Sequence, residues 1–448
     1  MKVELHYYDI FPKVFLVNEE ANITIRPLGE HASFSEKVRV SVISMIQGMP
    51  SIYPDRNNLC VYDITPDEDG CIRFSHVFTE ESEYRILLDQ EQKGTIYLAV
   101  YALEADMKGR YPFRGDLHMH TRRSDGRESP AVVAANYRRY GYDFTVISDH
   151  HRYYPSLEAI DAYKDVPVEM NIVIGEEIHL PGNDLHIVNF GGKYSVNGLL
   201  KGRAQDQESD RRSVIDNPPP VITQEEYEAQ VNALIEELNI PDGIEKFTYA
   251  SSVWAFRHIK AGEGLGIFPH PFWILACTAY HVPENLRAYM MQTQPFDAYE
   301  VLGGELYYQQ NGFQAVQYYE DRAHGLDYPI VGSTDSHSSL AEHNPGCLIA
   351  STFVFAEKNE STSLIEAIKQ KYSVAVDTIS KEYRLVGETR LVKYARFLLD
   401  EFTPLHDELC YEEGRLMKAY VTGDKDAAEG LAFIHGRMEK LFEKYFAV

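Results

Sequence analysis

One stretch constrains this chain more than any other: residues 113–152, FRGDLHMHTRRSDGRESPAVVAANYRRYGYDFTVISDHHR. It places His118, His120, Asp125, Asp149 and His150 in two short blocks with one helix-length segment between them. The first block reads as a strand. Alternate side chains of a strand share a face, so His118 and His120 look one way while Leu117 and Met119 look the other. A polar turn over 121–129 follows, where Asp125 beside Gly126 can fold back over the strand end. Ser129-Pro130 predicts the start of a helix that runs to Tyr140, and Gly141 predicts its stop. A second strand is expected over 142–148, apolar at Phe144, Val146 and Ile147, delivering Asp149 and His150 at its carboxyl end. Strand, helix and strand in about forty residues make a parallel crossover unit, and chemistry in parallel sheets gathers where the strands finish.

A single HxH is better read as two buried, hydrogen-bonded histidines than as a ligand pair. The rest of the chain changes that balance. Gly175-Glu176-Glu177 ends another apolar strand, His186 starts the next, His270 sits in an FPHP turn, and Asp335-Ser336-His337 follows PIVGST. Glu176 and Glu177 point to opposite faces. In NIVIGEEIHL, Val173, Gly175, Glu177 and His179 share one face, while the other carries Ile172, Ile174, Glu176, Ile178 and Leu180. The second face is the apolar one, suited to packing on helices, so Glu177 is assigned to the site and Glu176 kept as the fallback.

Taken in order, GDLHMHTRRSDG, ISDHHR, IGEEIH, LHIVNF, IFPHP and GSTDSH resemble the PHP superfamily of metal-dependent hydrolases, named for polymerase and histidinol phosphatase. The resemblance covers residues 114 to about 377. It implies an α/β fold, a distorted (β/α)7 barrel that holds two or three divalent ions at its strand ends. One ion would be held by His118, His120, Glu177 and Asp335. A second would share Glu177 and add His186 and His270, and a third would take Asp125, His150 and His337. Some family members carry His where Asp125 stands. Asp149 is expected to orient a neighbouring imidazole.

Imidazole and carboxylate without thiolate favour zinc, manganese or iron. The expected chemistry is hydrolysis by a hydroxide held between two ions that share a carboxylate, with a small phosphomonoester or phosphodiester as substrate. Carbamate or carboxylic ester hydrolysis with the same metals is the alternative, since one branch of the superfamily carries a β domain before its GDLHxHT motif. A PHP-like module whose metals are structural is a third. His179 and Asp149 are candidates for protonating the leaving group. Arg152, which follows the DHH block, Arg257 and His281 are candidates for substrate contact. Phe272, Trp273, Tyr280 and His281 form either an aromatic wall or loop packing, and Glu300 and Glu305 fall at the level of the site.

Around this core the chain divides. Residues 1–112 predict a β-sandwich-like domain from short runs rich in β-branched and aromatic residues, such as KVRVSVISM and GTIYLAVYAL. Residues 113–380 would form the barrel. Within it, 193–250 is expected as an insertion over the site, bringing Lys201, Arg203, Arg211 and Arg212, or else as a linker without consequence. Residues 381–448 predict a C-terminal helical extension in three runs, packed on the barrel or joining a homo-oligomer.

A formal net charge of −25 argues against nucleic acid or an anionic membrane as general partner. A small anionic or ester substrate is expected instead, drawn by bound cations. The opening MKVELHYYDIFPKVF lacks a basic leader before an apolar core, and no run is long enough to cross a bilayer. With five scattered cysteines and no CxxC spacing, this predicts a cytoplasmic location with reduced thiols.

Overall fold

A computed structural model of the 448-residue chain describes residues 2–46, 60–91, 93–202, 211–274, 279–303, 307–343, 345–378 and 384–448. Arg203, Glu305 and Cys277 lie outside the described residues, as does the boundary expected near 380. The chain divides into two compact units: Met1–Tyr111 with Thr389–Leu409 and Gly436–Val448, and Pro112–Glu388 with Cys410–His435.

The first unit is built from strands whose burial alternates, as over Ser82–Gln90, where every second residue faces inward. Strands β1 (Tyr8–Phe11), β3 (Glu20–Pro27) and β6 (Ile72–Val77) form a three-stranded sheet. Strands β2 (Val14–Leu16), β8 (Gly94–Leu103), β7 (Ser82–Gln90), β4 (Val38–Ser44) and β5 (Cys60–Ile64) form a second, extended at the β2 edge by Phe446–Ala447. Ile23, Ile25 and Phe74 of the first sheet share one apolar core with Val40, Ile86 and Leu98 of the second, which is sandwich packing. The run expected as one helix over 425–446 breaks at Gly436, whose φ of 80° suits glycine.

The second unit holds a ten-stranded mixed sheet. Its strands are β9 (Tyr111–Asp116), β10 (Phe144–Ile147), β11 (Asn171–Leu180), β12 (Asn183–Phe190), β13 (Leu265–Phe268), β14 (Ala298–Leu302), β15 (Ile330–Gly332), β16 (Ala350–Ala356), β17 (Ser373–Asp377) and β18 (Arg384–Val386). Across the sheet they run β15-β14-β13-β12-β11-β10-β9-β16-β17-β18. Strands β9, β10 and β11 are parallel to one another, as are β13, β14 and β15. Between these sets β12 pairs antiparallel with both β11 and β13. The departure from an all-parallel barrel has a local cause: only Pro181-Gly182 joins β11 to β12, and Gly182 turns at φ 69°. A parallel return needs a crossover of a dozen residues or more.

The sheet curls so that its β15 edge comes against β16 and β17. Thr352 Oγ1 both donates to Gly332 O at 2.7 Å and accepts from Gly332 N at 2.8 Å, and Ser373 Oγ donates to Ile330 O at 2.8 Å. Strands β10, β13 and β14 are buried along their whole length, the pattern of parallel strands covered on both faces.

Helices α1 (Pro130–Arg139), α2 (Tyr154–Ala162), α3 (Gln224–Leu238), α4 (Lys246–Ala261), α5 (Glu284–Thr293), α6 (Tyr307–Ala323) and α7 (Ser361–Lys369) connect the strands. Tyr227 and Val231 of α3 and Trp254 and Phe256 of α4 pack in one core with Ile178, Leu180, Leu185 and Ile187 of the β11–β12 hairpin. Residues 224–250, expected in an insertion over the site, therefore belong to the helical layer that covers the sheet. Tyr194, Ser195, Val196, Asn197 and Leu199 from the start of that insertion are buried as well. Arg211 pairs with Asp161, and Arg212 donates to Pro219 O. No helix among the described residues is long and apolar enough to cross a membrane.

Candidate metal centre

Strand β9 ends at Asp116, short of the HxH pair expected on it. Residues 118–120 continue beside the segment after β15: Asp335 N donates to His118 O and His120 N to Ser336 O, both at 2.8 Å. That pairing brings HMH and DSH together from opposite ends of the unit. Thr334 is pinned from below, its hydroxyl donating to Asp116 Oδ2 at 2.6 Å. On the other side, His151 N donates to Glu177 O at 3.0 Å, which ties the end of β10 to β11. His270 and Asp335 hold backbone φ of 29° and 51°, in the region non-glycine residues avoid, the kind of strain that persists where a site is over-determined by its surroundings.

Glu177 is the centre. Its carboxylate is buried, and six imidazoles approach it: His150 Nδ1 at 2.5 Å, His186 Nδ1 at 2.8 Å, His118 Nε2 at 3.4 Å, His120 Nε2 at 3.5 Å, and His179 and His270 Nε2 at 3.6 Å. Asp335 Oδ1 lies 2.9 Å from His120 Nε2 and 3.2 Å from His118 Nε2. Asp125 Oδ2 lies 3.3 Å from His337 Nε2 and 3.5 Å from His150 Nε2. Despite this crowding, both Glu177 oxygens, His118 Nε2 and His270 Nε2 are buried without a directed hydrogen bond. Buried polar atoms left so are rare and costly, and a cation would satisfy all of them at once.

The donor atoms group as metal shells do. Those of His120, Asp125, His150 and His337 lie within 4.8 Å of one another, as do those of His118, His120 and Glu177, of His118, His270 and Asp335, and of His150, Glu177 and His179. Three groupings go beyond the expected sets: His120 reaches the Asp125 group, His270 joins His118 and Asp335, and His179 joins Glu177 and His150. All donors are imidazole nitrogen or carboxylate oxygen, which fits zinc, manganese or iron.

The electrostatics agree. Burial opposes ionisation of Glu177, but His186, His150 and His118 hold it well below the usual carboxylate range; Asp335 is likewise lowered against its burial by His118, His120 and His270. Burial also works against protonating His150, yet Glu177 and Asp125 push it up to about 10. The carboxylates likewise raise His118 and His270 against their burial, whereas burial prevails at His120 and His186, the latter pushed down to about 3. A field that keeps protons on three of these imidazoles can keep cations in their place.

The remaining expected residues take varied positions. Glu176 faces away from Glu177, but not into an apolar layer: it accepts from Ser195 Oγ at 2.7 Å, Val196 N at 2.5 Å and Asn197 Nδ2 at 2.9 Å, pinning that loop. Asp149, expected to orient an imidazole, accepts from Thr121 N and Oγ1 and from Ser124 N and Oγ at 2.6–3.0 Å. What it orients is the turn that carries Asp125. His179 Nε2 lies 2.7 Å from His150 Nδ1. His281 Nε2 donates to Asp184 O at 2.6 Å, and its ring packs 4.4 Å from that of His186, so it braces a candidate ligand. Arg152 Nη1 donates to Tyr154 Oη at 3.4 Å. Arg257 is exposed on α4 and pairs with Glu237 of α3, among helices of the outer layer.

Glu300, expected at the level of the site, has its Oε2 3.1 Å from His118 Nδ1. Two contributors escaped sequence reasoning. Asp116, inside the GDLHMH motif, accepts from His118 N at 3.1 Å. Arg127, two residues beyond Asp125, carried no signal. It lines, with Trp273 and five candidate ligands, an open cavity of about 390 Å³. Phe272 is buried, with the Arg287 guanidinium 4.9 Å over its ring, so of the expected aromatic wall it is Trp273 that reaches the cavity.

No protein-family model and no curated protein matches this chain. Among solved structures it is similar to a two-domain protein from Bacteroides vulgatus containing a predicted PHP-like metal-dependent phosphoesterase: 18% identity, 60% of this chain and 65% of that one, TM-score 0.40. A protein from Bifidobacterium adolescentis assigned as a metal-dependent phosphoesterase is similar at 15% identity, over 50% of this chain and 87% of that one, TM-score 0.32. An amidohydrolase from Chromobacterium violaceum, with bound sulfate and no metal, is similar at 17% identity over the same shares, TM-score 0.30. The chain thus spans less than two thirds of the first of these.

Proposed function

We propose that this protein is a metal-dependent hydrolase of the PHP kind, its curled sheet a distorted (β/α)7-type barrel, and that it cleaves a small phosphomonoester or phosphodiester. Glu177 carries this reading: a buried carboxylate with six imidazoles within 3.6 Å and neither oxygen hydrogen-bonded. A cluster this polar and this buried costs too much to exist for packing alone. Two or three divalent cations would be held by His118, His120, Glu177 and Asp335, by Glu177 with His186 and His270, and by Asp125, His150 and His337. Bound there, they would lower the pKa of a water from about 16 toward about 7 and neutralise charge on phosphoryl oxygens.

The chain's own groups do the rest. Glu300 holds His118 in one tautomer, and Asp149 holds the turn that presents Asp125. His179, one-fifth exposed and 2.7 Å from His150, is placed to pass a proton to a departing alkoxide. Glu177, near the ring nitrogens of His118, His186 and His270, and Asp125, near that of His337, make two carboxylate poles with His150 between them, its Nδ1 2.5 Å from Glu177 and its Nε2 3.5 Å from Asp125. Cations at both suit a phosphoryl group, which carries charge on several oxygens, better than a carbonyl, which develops charge on one.

The test joins metal analysis to a substrate panel. Purified protein should carry two or three equivalents of divalent metal and hydrolyse aryl or bis-aryl phosphates, and His118→Ala should lose both metal and activity. Turnover of aryl carbamates with none of phosphates would replace the phosphoesterase assignment, and activity that survives His118→Ala would sink the metal mechanism.

A further inference from the structure

Two side chains line the cavity without belonging to any candidate ligand set, and they differ in chemistry. Arg127 is a cation at the Asp125 end. Its backbone N donates to His337 O at 3.0 Å, which fixes its origin on a candidate ligand, while its exposed side chain borders the opening. Among the described residues no carboxylate pairs with it. Trp273 is an aromatic plane at the other end. Its N donates to His270 O at 3.0 Å, its O accepts from His281 N at 2.6 Å, and its ring lies 5.7 Å from that of His270 and 5.8 Å from that of His186. A partly exposed indole held by its backbone on both sides is a pre-formed face for a flat group.

We infer that these two residues set the specificity of the site: Arg127 receives a non-bridging oxygen of an anionic phosphoryl group, and Trp273 stacks on an aromatic leaving group. The substrate class is then an aryl or heteroaryl phosphate ester. Hydrolysis breaks its P–O bond, water supplies the oxygen that stays on phosphorus, and the aromatic alcohol leaves with a proton. This deepens the phosphoesterase assignment and rests on it. A guanidinium discriminates because its fork of N–H donors matches two phosphoryl oxygens and finds no counterpart on a neutral carbamate. Stacking discriminates between aryl and alkyl leaving groups of equal charge.

The metal-loaded protein is tested with phenyl phosphate, a simple alkyl phosphate, and a neutral phenyl carbamate as substrates, and with phenylphosphonate as a non-hydrolysable ligand. Arg127→Met is expected to lower kcat/KM on phenyl phosphate and to weaken phenylphosphonate binding by about 10- to 100-fold, with Arg127→Lys recovering part of the loss. Trp273→Leu is expected to lower the preference for phenyl over alkyl phosphate by about 3- to 10-fold. Phenylphosphonate should quench the fluorescence of Trp273, one of only two tryptophans, the other being the buried Trp254. Phosphate turnover and phenylphosphonate binding that survive Arg127→Met overturn the role of Arg127, and an unchanged aryl preference in Trp273→Leu overturns that of Trp273. A wild-type protein that cleaves the carbamate and no phosphate overturns instead the broader assignment.

Discussion

Glu300 Oε2 stands 3.1 Å from Nδ1 of His118, on a residue 182 positions further along the chain. The contact leaves Nε2 of the same ring facing Glu177 and Asp335. A carboxylate behind a ligating imidazole fixes its tautomer and raises its basicity. Glu300→Ala should therefore weaken metal affinity about 10- to 100-fold, read by competition with a chelator. Glu300→Gln should lose less, because the amide oxygen still accepts from Nδ1–H. Equal affinities in all three proteins would remove Glu300 from the site.

Glu176 and Glu177 are adjacent and both fully buried, yet they do different work. Glu177→Gln should reduce the metal bound per chain and abolish turnover. Glu176→Gln should leave metal content unchanged while costing about 1–3 kcal/mol of stability, since it weakens the bonds that pin residues 195–197. Metal analysis beside denaturant midpoints separates the two, and metal loss in the Glu176 variant would reverse their assignment.

A Cβ on Gly126 would meet His120 C and O at 2.7 Å and Thr121 N at 2.8 Å, all of them backbone atoms with little freedom to yield. The close approach lets the turn fold over the strand end and present Asp125. Gly126→Ala should cost about 1–3 kcal/mol and lower occupancy at the Asp125, His150 and His337 group, seen in thermal melts with and without added metal.

Burial, helped by the nearby His270, pushes the His281 imidazole down to about 4, against the pull of the Asp184 carbonyl. The unfolded chain takes up this proton near pH 6.5 and the folded chain only near 4, so in between the unfolded state binds more protons. Stability from this group is complete above about 6.5 and declines as pH falls toward 4, by ~2–3 kcal/mol at most. His281→Asn can keep a donor for Asp184 O and does not titrate. Its urea midpoint should fall less than the wild-type midpoint between pH 7 and 4.5.

Arg138, 1% exposed, donates to Glu413 at 2.5 Å, to Asp143 at 3.0 Å and to Tyr142 O at 3.0 Å. Glu413→Ala leaves that guanidinium buried with half its compensation and should cost about 3–5 kcal/mol. Replacing the whole set, as Arg138→Met with Glu413→Leu and Asp143→Asn, should cost less per charge removed, and a double-mutant cycle on Arg138 and Glu413 measures their coupling.

Local periodicity determined much of this protein. A two-residue period put His118 with His120 and set Glu177 apart from Glu176, and helix start and stop signals placed α1 between Ser129 and Gly141. Such patterns are legible because they depend only on how neighbouring side chains point along one element. The types of donor atom, all imidazole and carboxylate, were legible in the same way, and so was their order along the chain.

What the tertiary structure alone decided is who faces whom. Asp149 serves the turn at 121–124 and Glu176 the loop at 195–197, while Glu300 comes to stand behind His118 and Arg127 beside the cavity. Each of these depends on the curl of a ten-stranded sheet and on the antiparallel hairpin at Pro181-Gly182, which set the register of strands far apart in sequence. A carboxylate in a strand-end loop reads the same whether it meets an ion, an imidazole or a backbone amide. Only the fold supplies its partner.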